Sequence, residues 1–153
     1  MTRGEDFRVG DVAIRRIETD AEYDAALELW LTVNLEAHSF VDARYWRGAA
    51  SYVGDAIREA TLFGAFEGTR LAGFVGVVGE RIEGLFVRAE RRGEGIGSAL
   101  LRKALAGARR MELSVYCKNE RAAAFYRRHG FVEQPQRVDQ GTGEREMTMI
   151  WEG

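Results

Sequence analysis

At 153 residues the chain is the length of one domain, long enough to bury a core without staples. Its 22 Lys and Arg against 24 Asp and Glu leave a formal net charge of −2, without the basic excess of a nucleic-acid binder. One cysteine, Cys117, excludes an internal disulfide, the first residues lack the apolar core of a signal peptide, and no apolar run nears the roughly 18 residues that span a bilayer. The expectation is a cytoplasmic protein with neither a membrane nor a nucleic-acid partner.

Residues 1–10 are polar and expected to be flexible, and Val12, Ile14 and Ile17 suggest a first strand. Thr19 with Glu22 forms a capping-box pattern, and Tyr23, Ala26, Leu27, Trp30, Val33 and Ala37 recur at helical spacing after it. Leu29, Leu31 and Leu35 lie off that stripe, so a second face needs cover from a neighbouring helix or a partner subunit. Asp42 can cap a second helix with a stripe through Trp46, Ala49, Val53 and Ile57, flanked by Tyr45 and Tyr52.

The period then changes. Residues 61–67 and 71–78 are β-rich runs joined by Gly68-Thr69-Arg70, and a third strand over 81–88 follows a turn at Gly79-Glu80. Next come Arg91-Arg92-Gly93-Glu94-Gly95-Ile96-Gly97-Ser98, three glycines at alternate positions opening a helix that ends near Gly107. Strand, glycine loop and helix together make an anion site: glycine allows close backbone approach, and the first helical N–H groups are free to bind. A phosphate or pyrophosphate is the natural guest, and the missing Gly-Lys-Ser/Thr argues against a P-loop nucleotide enzyme.

Residues 111–117 alternate as a strand, Asn119 is a natural cap for a helix over 120–129, and Gly130 fits the position after its end. Strands at 131–133 and 146–151 close the chain, with Pro135 in the irregular connection. The order β α α β β β α β α β β describes a single mixed α/β domain over 1–153 with one parallel crossover. Monomer and homodimer both remain open.

These residues resemble the GNAT superfamily of acetyl-CoA-dependent N-acetyltransferases. Arg92-Gly93-Glu94-Gly95-Ile96-Gly97 is similar to its Q/R-x-x-G-x-G/A loop, Asn119 through Tyr126 to its N-x-x-A-x-x-x-Y helix, and Tyr126 through Phe131 to the Y-x-x-x-G-F ending. Ala37-His38-Ser39-Phe40 also resembles an A/T-H-x-F segment of small bacterial members, some of which acetylate protein lysines.

The resemblance implies a sheet splayed between strands 81–88 and 111–117, with acetyl-CoA as co-substrate entering the gap and no metal. Arg92, Gly93, Glu94, Gly95, Ile96, Gly97 and Ser98 would hold the pyrophosphate, with Arg91 and Arg88 adding charge. The main chain of Leu85, Phe86 and Val87 would pair with pantetheine, and Asn119 would bond it or start the helix that aims Tyr126. By the same resemblance Tyr126 is the general acid, because a phenol with a pKa near 10 keeps its proton at neutral pH.

Glu83 is the first candidate for the base, ahead of Glu80 and His38. Trp30, His38 and Phe40 are candidate contacts to the amine acceptor, which is a protein lysine or N-terminus or a small-molecule amine. A non-catalytic acyl-CoA-binding domain is the rival from another class.

Overall fold

The computed structural model describes residues 7–153. A strand absent from the sequence reading opens them: β1 (Phe7–Val9) pairs antiparallel with β2 (Val12–Arg16), so residues 7–9, within the stretch expected to be flexible, are ordered in the sheet. Residues 1–6 themselves lie outside the described residues. Three residues turned by Gly10 are too short to raise a periodic signal.

Helix α1 (Asp20–Ala37) starts at the expected capping box: Glu22 N donates to Thr19 Oγ1 at 3.2 Å, and Thr19 N donates to Glu22 Oε1 at 3.3 Å. Helix α2 (Ala43–Glu59) starts at Asp42, whose carboxylate accepts from Arg44 N at 2.8 Å. Helix α1 packs within the chain against α2, closely enough that a Cβ on Gly54 would stand 3.3 Å from Leu27. Leu29, off the stripe read from the sequence, is wholly buried.

Strands β3 (Thr61–Glu67), β4 (Arg70–Val78) and β5 (Arg81–Val87) form an antiparallel meander, followed by α3 (Ile96–Leu105), β6 (Arg110–Tyr116), α4 (Glu120–Arg128), β7 (Val132–Val138) and β8 (Arg145–Glu152). The eight strands lie in the order β1-β2-β3-β4-β5-β6-β8-β7, antiparallel throughout except between β5 and β6. Helices α1 and α2 bury Leu29, Trp30 and Trp46 on one face of this sheet, and α3 and α4 bury Leu100, Leu101 and Tyr126 on the other. Truncating a wholly buried leucine such as Leu100 to alanine costs about 2–5 kcal/mol.

Pro135 falls inside β7 rather than in a loop. The strand accommodates it because β7 is an edge, with a break in register between Glu133 and Gln136 where no ladder N–H is required. Among the described residues no helix is long and apolar enough to cross a membrane.

The feature that positions the site is the seam between β5 and β6. Only Arg81 and Glu112 pair across it, so from Ile82 onward β5 presents an unpaired backbone edge in the middle of the sheet. A β-bulge on β5, opposite Gly76 and Val77, leaves Glu83 as the extra residue at the point where the strands part.

Candidate active site

A cavity of about 920 Å³ opens at this seam, near the upper end of the roughly 300–1,000 Å³ typical of ligand pockets. Its walls come from the end of α1 (Val33, Glu36, Ala37), from β5, from the glycine loop and from the start of α4. Strand alternation sends Leu85 and Val87 into it. The Phe86 ring points to the opposite face and packs against Phe74 at 5.2 Å, so its side chain does not serve a ligand here.

The three glycines differ. Gly93 (φ +81°) and Gly95 (φ +87°) hold left-handed backbone that other residues adopt only with strain, and Gly95 is the N-cap of α3. Gly97 has no such backbone. A Cβ there would stand 3.5 Å from Phe125, an ordinary van der Waals contact, so neither backbone conformation nor packing within the chain requires this glycine. The free N–H groups of Ile96, Gly97 and Ser98 and the positive end of α3 border the cavity.

The arginines also divide. Arg88 donates through Nε to the Leu71 carbonyl at 2.8 Å, and Arg91 binds Glu94 and Glu67, each at 3.1 Å, so both brace the loop. Glu94, expected among the ligand contacts, is absent from the cavity wall and serves as the partner of Arg91. Arg92, Arg121 and Arg128 line the cavity without an ion pair among the described residues, and Lys118 lines it while bound to Glu144 at 3.1 Å. Lys118, Arg121, Phe125 and Arg128 were missed in the sequence, although the Asn119 motif marks the helix that carries three of them.

Asn119 and Tyr126 are brought together on α4, both facing the cavity. Asn119 Oδ1 accepts from Ala122 N at 3.2 Å and so caps the helix. Tyr126 is 6% exposed, edge-on to Phe125 and Phe131, and burial raises its phenol above the ordinary value, which keeps it protonated. Ser98 Oγ lies 3.1 Å from His129 Nε2 and ties the loop to the far end of the same helix.

The remaining candidates lie outside this cavity. Glu83 is exposed on β5, 3.7 Å from the Arg81 guanidinium, which also reaches Glu112 at 3.7 Å. Glu80 sits in the turn before β5, its carbonyl accepting from Glu112 N at 2.8 Å. Trp30, expected among the acceptor contacts, is a core residue between α1 and α2, edge-to-face with Trp46 at 5.9 Å.

His38 and Phe40 lie at the α1–α2 junction and contact Tyr116, at ring separations of 5.0 and 5.6 Å. Burial lowers the His38 pKa to about 4. Beside them Tyr116 donates to Asp139 at 3.2 Å, and Tyr45 feels the charges of Asp139 and Glu146. This aromatic and acidic wall joins α2 to the β7–β8 turn. Among the described residues no group of three or more His, Cys, Asp or Glu is arranged to hold a metal.

Comparison with known proteins fits this geometry. Residues 58–133, which hold β3 to β6, the loop and α4, match the acetyltransferase (GNAT) domain family. Peptidyl-lysine N-acetyltransferase YiaC of Escherichia coli (strain K12) is 35% identical over 113 residues, covering 72% of this chain and 77% of that protein. Peptidyl-lysine N-acetyltransferase YjaB of the same strain is 30% identical over 121 residues, covering 78% and 82%.

The solution structure of apo YjaB from Escherichia coli superimposes with a TM-score of 0.79 at 27% identity, covering 92% of this chain and 97% of that one. The fold is shared at 16% identity and a TM-score of 0.74 by the PaiA N-acetyltransferase of Thermoplasma acidophilum in its complex with coenzyme A, over 93% of this chain and 99% of that one. With the splayed sheet, the glycine loop at a helix start and these relatives in agreement, the chain belongs to the GNAT family and is an acetyl-CoA-dependent N-acetyltransferase.

Proposed function

We propose that the chain acetylates a lysine side chain of a protein by direct attack on the thioester of acetyl-CoA, with Tyr126 as the general acid. The observation that carries the mechanism is a buried phenol, held protonated by its surroundings, on the cavity wall at the open seam of the sheet. The acceptor class is supported by YiaC and YjaB, both named peptidyl-lysine N-acetyltransferases. The aromatic wall at the α1–α2 junction supports it: Tyr45 and Tyr116 are aromatic groups able to meet an ammonium, and Asp139 adds negative charge, while Glu146 is paired with Arg137 at 3.1 Å.

The glycine-loop N–H groups and Arg92 are suited to the pyrophosphate, and the unpaired edge of β5 to the amides of pantetheine. The neutral amine nitrogen forms a bond to the thioester carbon while the carbonyl π pair moves onto oxygen. The Val87 backbone N–H, which strand alternation turns away from β4 and toward the seam, stabilises that oxyanion. The oxyanion pair then re-forms the carbonyl as the C–S bond breaks, the C–S electron pair goes to sulfur, and Tyr126 Oη supplies the proton the thiolate needs. Glu83, the bulged residue where the strands part, takes the amine proton through water.

The test is thiol release and peptide mass with acetyl-CoA and lysine peptides. A gain of one acetyl group per lysine, matched by free thiol, is expected. Turnover confined to free amines would move the acceptor to a small molecule, and binding without turnover on any amine would favour a binding domain.

A further inference from the structure

We infer that His38 is a neutral, hydrogen-bonded strut that sets Asn119 and the start of α4 across the donor cavity, a positioning residue and not the base that receives the acceptor's proton. A chain of hydrogen bonds runs through the ring, its direction fixed at both ends by backbone atoms.

At one end Asn34, buried on α1, donates through Nδ2 to the Trp30 carbonyl at 2.9 Å. Rotating this amide by half a turn would set two oxygens against each other, so Oδ1 must face His38. His38 Nδ1 lies 2.7 Å from it, and because that oxygen only accepts, Nδ1 carries the hydrogen.

At the other end Asn119 Oδ1 accepts from Ala122 N at 3.2 Å. Reversing that amide would set two donors together and remove the cap, so Nδ2 must face the ring. It lies 3.0 Å from His38 Nε2, and because an amide NH₂ only donates, Nε2 holds the lone pair. The ring is therefore the neutral Nδ1–H tautomer, with both nitrogens engaged. A base would need that Nε2 lone pair for the amine, and Asn119 already occupies it.

The surroundings agree. Phe40, Trp46 and Tyr116 stand around the ring at 5.6, 5.7 and 5.0 Å, and desolvation there disfavours the imidazolium. The Tyr116 phenol, itself bonded to Asp139, faces the ring, the Lys118 ammonium lies 5.3 Å from the neighbouring Phe40 ring centroid, and desolvation is the one influence acting on the imidazole. Neither group supplies a carboxylate to stabilise a charged ring.

The strut has a consequence for the donor. Helix α1 contributes Val33 and Ala37 to the cavity and α4 contributes Asn119 and Ala122. His38, at the end of the first, holds the cap of the second across 81 residues of sequence. Cavity width and the aim of Tyr126 are set through this contact. The inference depends on acetyl-CoA occupying the cavity.

The test compares His38→Ala with His38→Gln, because glutamine Oε1 can accept from Asn119 Nδ2 but cannot act as a base. His38→Ala should raise the KM for acetyl-CoA by roughly tenfold, the size of one lost hydrogen bond, with kcat changed by less than about threefold. His38→Gln should restore that KM to within about twofold. The pH profile of kcat should keep its acidic limb in both.

Equal loss in both variants, with kcat down by about 100-fold or more and the acidic limb gone, would make His38 the base and overturn the inference. Independently of any variant, nitrogen-15 NMR of the wild-type imidazole at neutral pH should find Nδ1 protonated and Nε2 bare. The opposite tautomer or an imidazolium would also overturn it. Wild-type titration with acetyl-CoA checks the donor site separately, so failure there would remove the cavity assignment without altering the tautomer result.

Discussion

The two sides of the seam between β5 and β6 are built by different means. On the side proposed for the donor the features are mostly backbone: the left-handed glycines 93 and 95, the free N–H groups opening α3, and the unpaired edge of β5. On the side proposed for the acceptor they are side chains brought from far apart, with Phe40, Tyr45, Tyr116 and Asp139 meeting from the α1–α2 junction, α2, β6 and the β7–β8 turn. A backbone site is fixed by local conformation and tolerates change at few positions. A side-chain site can be retuned one residue at a time without losing the fold, which suits the side that chooses the acceptor.

The sharpest way to break this division is at Gly95. Gly95→Asp forces a side chain onto left-handed backbone and sets a carboxylate where the pyrophosphate belongs, so acetyl-CoA affinity should fall by roughly 100-fold or more in a folded protein. Calorimetric titration measures it, and unchanged affinity would remove the loop from the donor site.

Tyr126→Phe should lower kcat by about one to three orders of magnitude while acetyl-CoA binding stays near wild type, the signature of lost acid catalysis. Steady-state kinetics beside equilibrium binding would separate the two quantities, and full turnover would exclude the phenol from the acid role.

On the acceptor side, Tyr45→Ala should raise the KM for a lysine peptide by roughly three- to tenfold, the scale of one aromatic contact to a cation, without moving that for acetyl-CoA. A change in the donor KM instead would mean that the two sides are not separable.

The smallest effect concerns His38. Its folded pKa of about 4 lies below the ordinary 6.5, so the unfolded chain binds more protons in that window. Its contribution to stability is complete above pH 6.5 and is lost as pH falls toward 4. Denaturant midpoints at pH 7, 5 and 4 should fall less steeply for His38→Gln than for wild type, and parallel slopes would contradict the buried neutral ring.

The same division explains what the sequence disclosed. Caps, glycines and the Asn119-to-Tyr126 spacing are local chemistry, and Thr19, Asp42, Gly95 and Asn119 each do in the fold what their neighbours in sequence suggested. Strand β1 was hidden because three residues carry no period, and Pro135 because a sequence does not announce that a strand is an edge. His38 stood out as a residue with chemistry, yet its partner Asn119 lies 81 positions away, and only folding reveals that the partner consumes its lone pair. Partners from other strands were hidden for the same reason: Arg88 donates to the Leu71 carbonyl, and Arg91 lines the cavity while paired with Glu67.

The claim that donor and acceptor sides are distinct is met most directly by amide chemical-shift mapping of the labelled protein as acetyl-CoA is added. The account predicts the largest shifts at Leu85, Val87, residues 93–98 and residues 119–122, with Tyr45, Phe40 and Asp139 little moved. Shifts concentrated on the α1–α2 junction and the β7–β8 turn, with the glycine loop unmoved, would contradict it.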